Sequence, residues 1–171
     1  MKILVISDLH ELTANLSRVL RSHPDADAAI FLGDGAVYFL SQREKYPNTA
    51  FFAVSGNCDI GASSFGIRAA EEITLEGKRI FFCHGHTYGV KGGLGNLISA
   101  ARAREADIVL FGHTHLPLER YIPADEDGRA LYLVNPGTLG GRSENGHTYA
   151  VITIKDDNVL ISHGRIAGRR E

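Results

Sequence analysis

Tryptophan is absent from this chain of 171 residues, methionine occurs once and cysteine twice. Two cysteines, Cys58 and Cys83, both in or beside apolar runs, cannot make a disulfide framework. With no export signal ahead of them, a reduced cytoplasm is the default compartment. The opening "MKILVISDLH" meets an acid at Asp8 before it could serve as a secretory apolar core. No apolar run approaches the roughly 18 residues of a membrane span, so no membrane partner is expected. Charge of one sign is not in excess either: 18 basic residues face 20 acidic ones. That balance leaves no clear footprint for nucleic acid. Repeats, low-complexity stretches and linkers are also missing. The length fits one domain, residues 1–171, able to bury roughly 70% of its unfolded surface.

What is present is a series of short apolar, β-branched or aromatic runs that read as strands: "KILVIS" (2–7), "AAIFLG" (28–33), "AFFAV" (50–54), "RIFFC" (79–83), "DIVLFG" (107–112) and "ALYLV" (130–134). Their near-continuous apolarity predicts strands covered on both faces. Helix-like stretches lie between several of them. "LTANLSRVLRSH" (12–23) puts Leu12, Leu16, Val19 and Leu20 on one face. "GNLISAARAREA" (95–106) is rich in good helix formers, and residues 36–45 form a weaker candidate. This alternation predicts an α/β core. At the end, "HTYAVITI" and "NVLISHGR" joined by "KDDN" predict an antiparallel hairpin. A mixed sheet system is therefore expected.

The chemistry sits where these runs end. After "KILVIS" come Asp8 and His10; after "AAIFL", Asp34; after "AFFAVSG", Asn57; after "RIFFC", His84 and His86; after "DIVLFG", His113 and His115. In α/β sheets ligands gather at the carboxyl ends of strands. Each element alone is weak, because "DxH" and "GD" are common caps and turns. The ordered set is far more specific. A phosphodiester is anionic and resists attack, and two divalent cations can neutralise it, orient it and generate a nucleophile at neutral pH. Such a pair needs a bridging carboxylate with several imidazole and oxygen ligands, and Asp34 is the natural bridge.

The order D-x-H, G-D, G-N-x-D, H-G-H, G-H-T-H resembles the calcineurin-like metallophosphoesterase family, and the short length with "GNCD" resembles its compact prokaryotic phosphodiesterase branch. The match runs from Asp8 to about "NPGT" (135–138). The resemblance implies an α+β fold, a four-layer αββα sandwich of two mixed sheets flanked by helices. It implies a phosphodiesterase using a hydroxide that bridges two divalent metals. One metal would be held by Asp8, His10, Asp34 and His115, the other by Asp34, Asn57, His84 and His113, with Asp34, Asn57 and His84 central to catalysis. Manganese is expected; the mixed set also suits nickel, iron, cobalt or zinc. The substrate would be a small phosphodiester, and family members often self-associate. The alternatives are a catalytically weak or inactive scaffold on the same fold, or an amidase or lactonase with a similar zinc set.

Around this set the assignments are looser. His86 could touch substrate or orient His84. Asp59 reads as a hydrogen-bonding residue within its own loop, and Thr114 as a spacer. "NPGTLGGR" (135–142) could offer backbone N–H groups to a phosphate, and Arg142 a charge-assisted contact. Glu11 stands where relatives often carry glycine and could narrow the pocket mouth. Cys58 occupies the place of a family histidine that can act as general acid or contact the phosphate. A neutral thiol donates hydrogen bonds only weakly, so Cys58 reads as a small buried residue. Activated or aryl diesters would then be favoured over those with poor alkoxide leaving groups.

Overall fold

The computed structural model describes residues 1–124, 128–141, 143–144 and 146–166. In chain order its elements are β1 (Lys2–Ile6), α1 (Thr13–Ser22), β2 (Ala28–Phe31), α2 (Ala36–Ser41), β3 (Ala50–Ala53), β4 (Ala70–Leu75), β5 (Lys78–Cys83), α3 (Gly95–Ala103), β6 (Ile108–Leu110), β7 (Pro117–Ile122), β8 (Leu131–Pro136), β9 (Thr148–Lys155) and β10 (Asn158–Arg165). Short 3₁₀ turns occur at 43–45, 62–65 and 86–88. The first sheet runs β10-β9-β1-β2-β3, parallel from β1 to β3 and antiparallel at β9 and β10. The second runs β4-β5-β6-β8-β7, parallel through β5, β6 and β8, with an antiparallel strand at each edge.

Alternation along the strands builds the layers. Ile3 and Val5 of β1 and Ile30 of β2 meet Ile80, Phe82, Ile108 and Leu110 in the core between the sheets. Leu4, Ile6, Ala29 and Phe31 point the other way, onto Leu16, Val19 and Leu20 of α1 and Phe39 of α2. Phe81, Val109 and Leu133 pack in the same manner on Leu97 and Ala101 of α3. Two apolar faces per sheet explain why the central strands read as unbroken apolar runs. The result is the expected αββα sandwich. The hairpin is also as expected: β9 ends at Lys155 and β10 begins at Asn158, and the two turn residues, Asp156 and Asp157, both have positive φ, as a type I′ turn demands.

Three differences have physical causes. Strands β4 and β7 escape the sequence pattern because they are edges. "AEEITL" and "PLERYI" expose part of their length to water, and a proline is tolerated where one side needs no ladder partner. The stretch 36–45 forms a six-residue helix followed by a 3₁₀ turn rather than one helix. Strand β3 is an edge strand with its first residue exposed, so it lacks the full burial its sequence suggests. No helix among the described residues is long and apolar enough to cross a membrane.

Candidate metal centre

The loops that leave β1, β2, β3, β5 and β6 meet at one end of the sandwich. Their conformation is unusual: Asp8, His10, Asp34, His113 and His115 all hold positive φ, between 47° and 66°. Non-glycine residues avoid this region, though Asp, Asn and His enter it most readily. Glycines let the loops approach. A Cβ on Gly56 would overlap the Asp34 carboxylate, and one on Gly112 would overlap the Ser7 hydroxyl. These contacts account for the glycines of "GN" and "GH".

Asp8 is fully buried. Its Oδ2 accepts hydrogen bonds from Ser7 Oγ at 2.6 Å and from the His113 N–H at 3.1 Å. Its Oδ1 has no hydrogen-bond partner among the described residues, while His115 Nε2 lies 3.2 Å away and His84 Nε2 3.9 Å away. His84 is buried and its Nδ1 donates to Leu32 O at 2.7 Å, which fixes the tautomer and leaves a lone pair on Nε2. That lone pair faces Asn57 Oδ1 at 3.1 Å, Asp34 Oδ2 at 3.6 Å and His113 Nδ1 at 3.2 Å. Oxygen and nitrogen lone pairs turned on one another repel unless a proton or a metal cation lies among them. The donor set therefore fits a divalent ion. Ligand atoms of Asp8, His10 and His115 lie within 4.8 Å of one another, and so do those of Asp8, Asp34 and His84, and of His10, Asp34 and Cys58. All seven residues expected to bind metal are thus brought together. Asn57 and His113 stand around the His84 end, and His10 lies 3.4 Å from His115 through their Nε2 atoms.

Burial, then its own charged neighbours, set the protonation states. Burial alone would raise the Asp8 carboxyl, but His115, His84 and Ser7 outweigh it and hold the group below the usual carboxylate range. Burial depresses His86 and His113, and the nearby His84 adds to this. Both shifts favour the neutral imidazole, the form in which His113 could ligate a metal. The sign for stability follows. A histidine whose folded pKa lies below its ordinary value contributes stability at high pH and loses it as pH falls below about 6.5. Melting temperature of the metal-free protein is accordingly expected to fall steadily from pH 7.5 to pH 5.5. A flat profile would contradict the assigned shifts.

Several looser expectations change. Cys58 is exposed rather than buried. Partial desolvation, followed by the Asp34 carboxylate, pushes its thiol up to about 11, so it is neutral at pH 7 and unsuited to nucleophilic attack. Asp59 bonds beyond its own loop: Oδ2 accepts the N–H of Asp34 at 2.8 Å and of Gly56 at 2.8 Å, while Oδ1 accepts those of Gly35 at 2.8 Å and Ala36 at 3.1 Å. In return, Asp34 Oδ1 accepts the Cys58 N–H at 2.8 Å. The two acids lock the β2 and β3 loops together. Nor does "NPGT" offer a free N–H cradle. The N–H groups of Gly137, Leu139, Gly140 and Gly141 bond Asn135 Oδ1, Ser7 O, Asp8 O and Thr138 Oγ1. That loop instead braces the centre: Thr138 Oγ1 donates to Asp8 O at 2.8 Å, and Asn135 Nδ2 donates to Gly112 O and to Thr114 Oγ1. Thr114 is thus a fastening point, not only a spacer. His86 stands with its ring centroid 5.3 Å from that of His84, and its buried Nδ1 has no hydrogen-bond partner among the described residues. Arg142 lies outside the described residues. Ser7, Asn135 and Thr138 are the supports that no local sequence pattern announces.

The same chain has recognisable relatives. Residues 1–157 match the calcineurin-like phosphoesterase superfamily domain. The probable metallophosphoesterase YsnB of Bacillus subtilis is 29% identical over 164 residues, covering 94% of this chain and 89% of that protein. The phosphodiesterase YfcE of Escherichia coli K12 is 26% identical over 181 residues, covering 94% of this chain and 90% of that protein. A predicted phosphoesterase of Streptococcus pneumoniae superposes with a TM-score of 0.77 over 95% of this chain and 87% of that one, at 24% identity, a likeness of fold.

Proposed function

The chain belongs to the calcineurin-like phosphoesterase superfamily, and from that premise we propose that it is a metal-dependent phosphodiesterase acting on small phosphodiesters. The observation that carries this reading is the convergence of three potential ligand atoms, with Nε2 of the buried His84 3.1 Å from Asn57 Oδ1 and 3.6 Å from Asp34 Oδ2. Asp34 would bridge two divalent cations. Asp8, His10 and His115 would complete one site; Asn57, His84 and His113 the other. Bound there, the cations supply charge neutralisation for the phosphate and a water that ionises near neutral pH.

The chain's own residues do the rest. The Leu32 carbonyl holds His84 in the tautomer that presents Nε2. Asn57 Nδ2 donates to Cys58 Sγ at 3.3 Å, which turns Oδ1 inward as the ligand atom. His86, close beside His84, is placed to hydrogen-bond a phosphoryl oxygen through a ring nitrogen. Cys58, uncharged at neutral pH, lends little acid assistance to a departing alkoxide, so aryl diesters are the better substrates in vitro. Manganese is proposed as the working metal. The scaffold reading is disfavoured because all seven ligand side chains are retained and within reach of one another.

The test is hydrolysis of bis-p-nitrophenyl phosphate with each of Mn²⁺, Ni²⁺, Co²⁺, Fe²⁺ and Zn²⁺ added separately. Turnover is expected with manganese and is expected to vanish with chelator. Absence of metal-dependent turnover across the whole set would reject the reading.

A further inference from the structure

The histidine loops also form two walls of a recess beside the centre. Residues 86–94, leaving His84 and His86, supply Val90, Lys91 and Leu94; residues 111–118, running through His113 and His115, supply Thr114, Leu116 and Leu118. The recess encloses about 560 Å³. Its lining is mostly apolar, with buried Phe111 at its inner end. Leu116 follows His115 directly yet leaves 55% of its surface in water. Large apolar side chains grouped in a concave site beside ionic groups mark ligand-binding grooves more often than solvent-facing surface. Among the described residues, Lys91 is the one charged side chain in this lining.

We propose that this recess is the subsite for an apolar, ring-sized arm of the phosphodiester, with Lys91 opposing the charge of the phosphate. The inference rests on the phosphodiesterase reading and narrows its substrate class. Both walls grow out of segments that carry candidate ligands, so a phosphate at the centre projects one ester arm toward Leu116. A ring there removes apolar surface of Leu94, Leu116 and Leu118 from water. A methyl arm cannot reach across the same lining.

Two substrates with one leaving group separate the subsite from the chemistry: methyl p-nitrophenyl phosphate and phenyl p-nitrophenyl phosphate. The phenyl ester is expected to have the higher kcat/KM by about tenfold or more, expressed chiefly in KM, as apolar subsites discriminate. Leu116→Ser is expected to reduce that ratio to near one by raising KM for the phenyl ester. Leu94→Ser, on the opposite wall, should do the same and guards against a local folding effect of the first variant. Lys91→Met should raise KM for both esters. A ratio near one in the wild type, or one unchanged in both leucine variants, would overturn the assignment. If no diester is turned over with any metal, the phosphodiesterase reading fails. Calorimetry of manganese-loaded protein with phenylphosphonate and methylphosphonate then decides the recess by itself. Tighter phenylphosphonate binding that Leu116→Ser abolishes supports it, and equal binding rejects it.

Discussion

Asp34→Asn is expected to reduce metal-dependent hydrolysis by more than the roughly 10–100-fold that losing a ligand's supporting partner costs. The substitution is nearly isosteric, and its Oδ1 can still accept the Cys58 N–H that now bonds Asp34 at 2.8 Å. The fold should therefore survive. What disappears is the negative charge of an almost fully buried carboxylate that approaches His84 Nε2 at 3.6 Å. As the proposed bridge, Asp34 would be shared by two cations, so its neutralisation would weaken both sites together and metal content should fall. Glu11 provides the control, because its side chain is exposed and only two residues from Asp34's partner loop at Leu9. Glu11→Gln should retain activity within about twofold, as surface substitutions usually do. Elemental analysis and initial rates on the same preparations make the comparison. Equal losses in the two variants would argue against Asp34 as the bridge.

Asp59→Ala should fail differently. Four backbone N–H groups, those of Asp34, Gly35, Ala36 and Gly56, would lose one charged acceptor at once. Hydrogen bonds to charged groups contribute about 1.5–3 kcal/mol each, and neighbours sharing one acceptor do not add fully. A loss of about 3 kcal/mol is expected. For a chain of this size that corresponds to a melting temperature lower by about 6–12 °C. Asp59→Asn keeps one accepting oxygen and turns an amide NH₂ toward the other pair of N–H groups, so it should fall between wild type and Asp59→Ala. Because the released loop carries Asp34 in its left-handed conformation, metal affinity should drop as well. Melting in chelator separates the variants: Asp34→Asn should melt close to wild type and Asp59→Ala clearly below it. An Asp59→Ala protein melting within about 2 °C of wild type would deny the clamp.

The contrast between these two acids shows what a sequence displays and what it hides. Asp34 was legible because it follows an apolar run and a glycine, a local pattern that strand ends produce. Asp8, Asn57, His84 and His113 likewise follow apolar runs, Asn57 and His113 through a glycine. Asp59 sits in an equally local motif, but three of its four partners lie 23 to 25 residues earlier, so its role depends on how two loops meet. Thr138 is more remote still, reaching Asp8 across 130 residues. The central strands were legible because both faces of each sheet are covered, whereas β4 and β7 were not, since edges carry Glu71, Glu72, Glu119 and Arg120. The Cys58 environment was misjudged because "AFFAV" is apolar, while the loop beyond it turns toward solvent.

The left-handed backbone at Asp8, His10, Asp34, His113 and His115 has a consequence for how this protein can change over generations. At each of these places glycine would relieve up to about 1 kcal/mol of backbone cost. That relief is opposed at Asp8 and Asp34 by the hydrogen bonds their buried carboxylates accept from Ser7, His113 and Cys58, and least opposed at the exposed His10. A lineage that ceased to need the chemistry would be expected to give up His10 to glycine first and the two buried acids last.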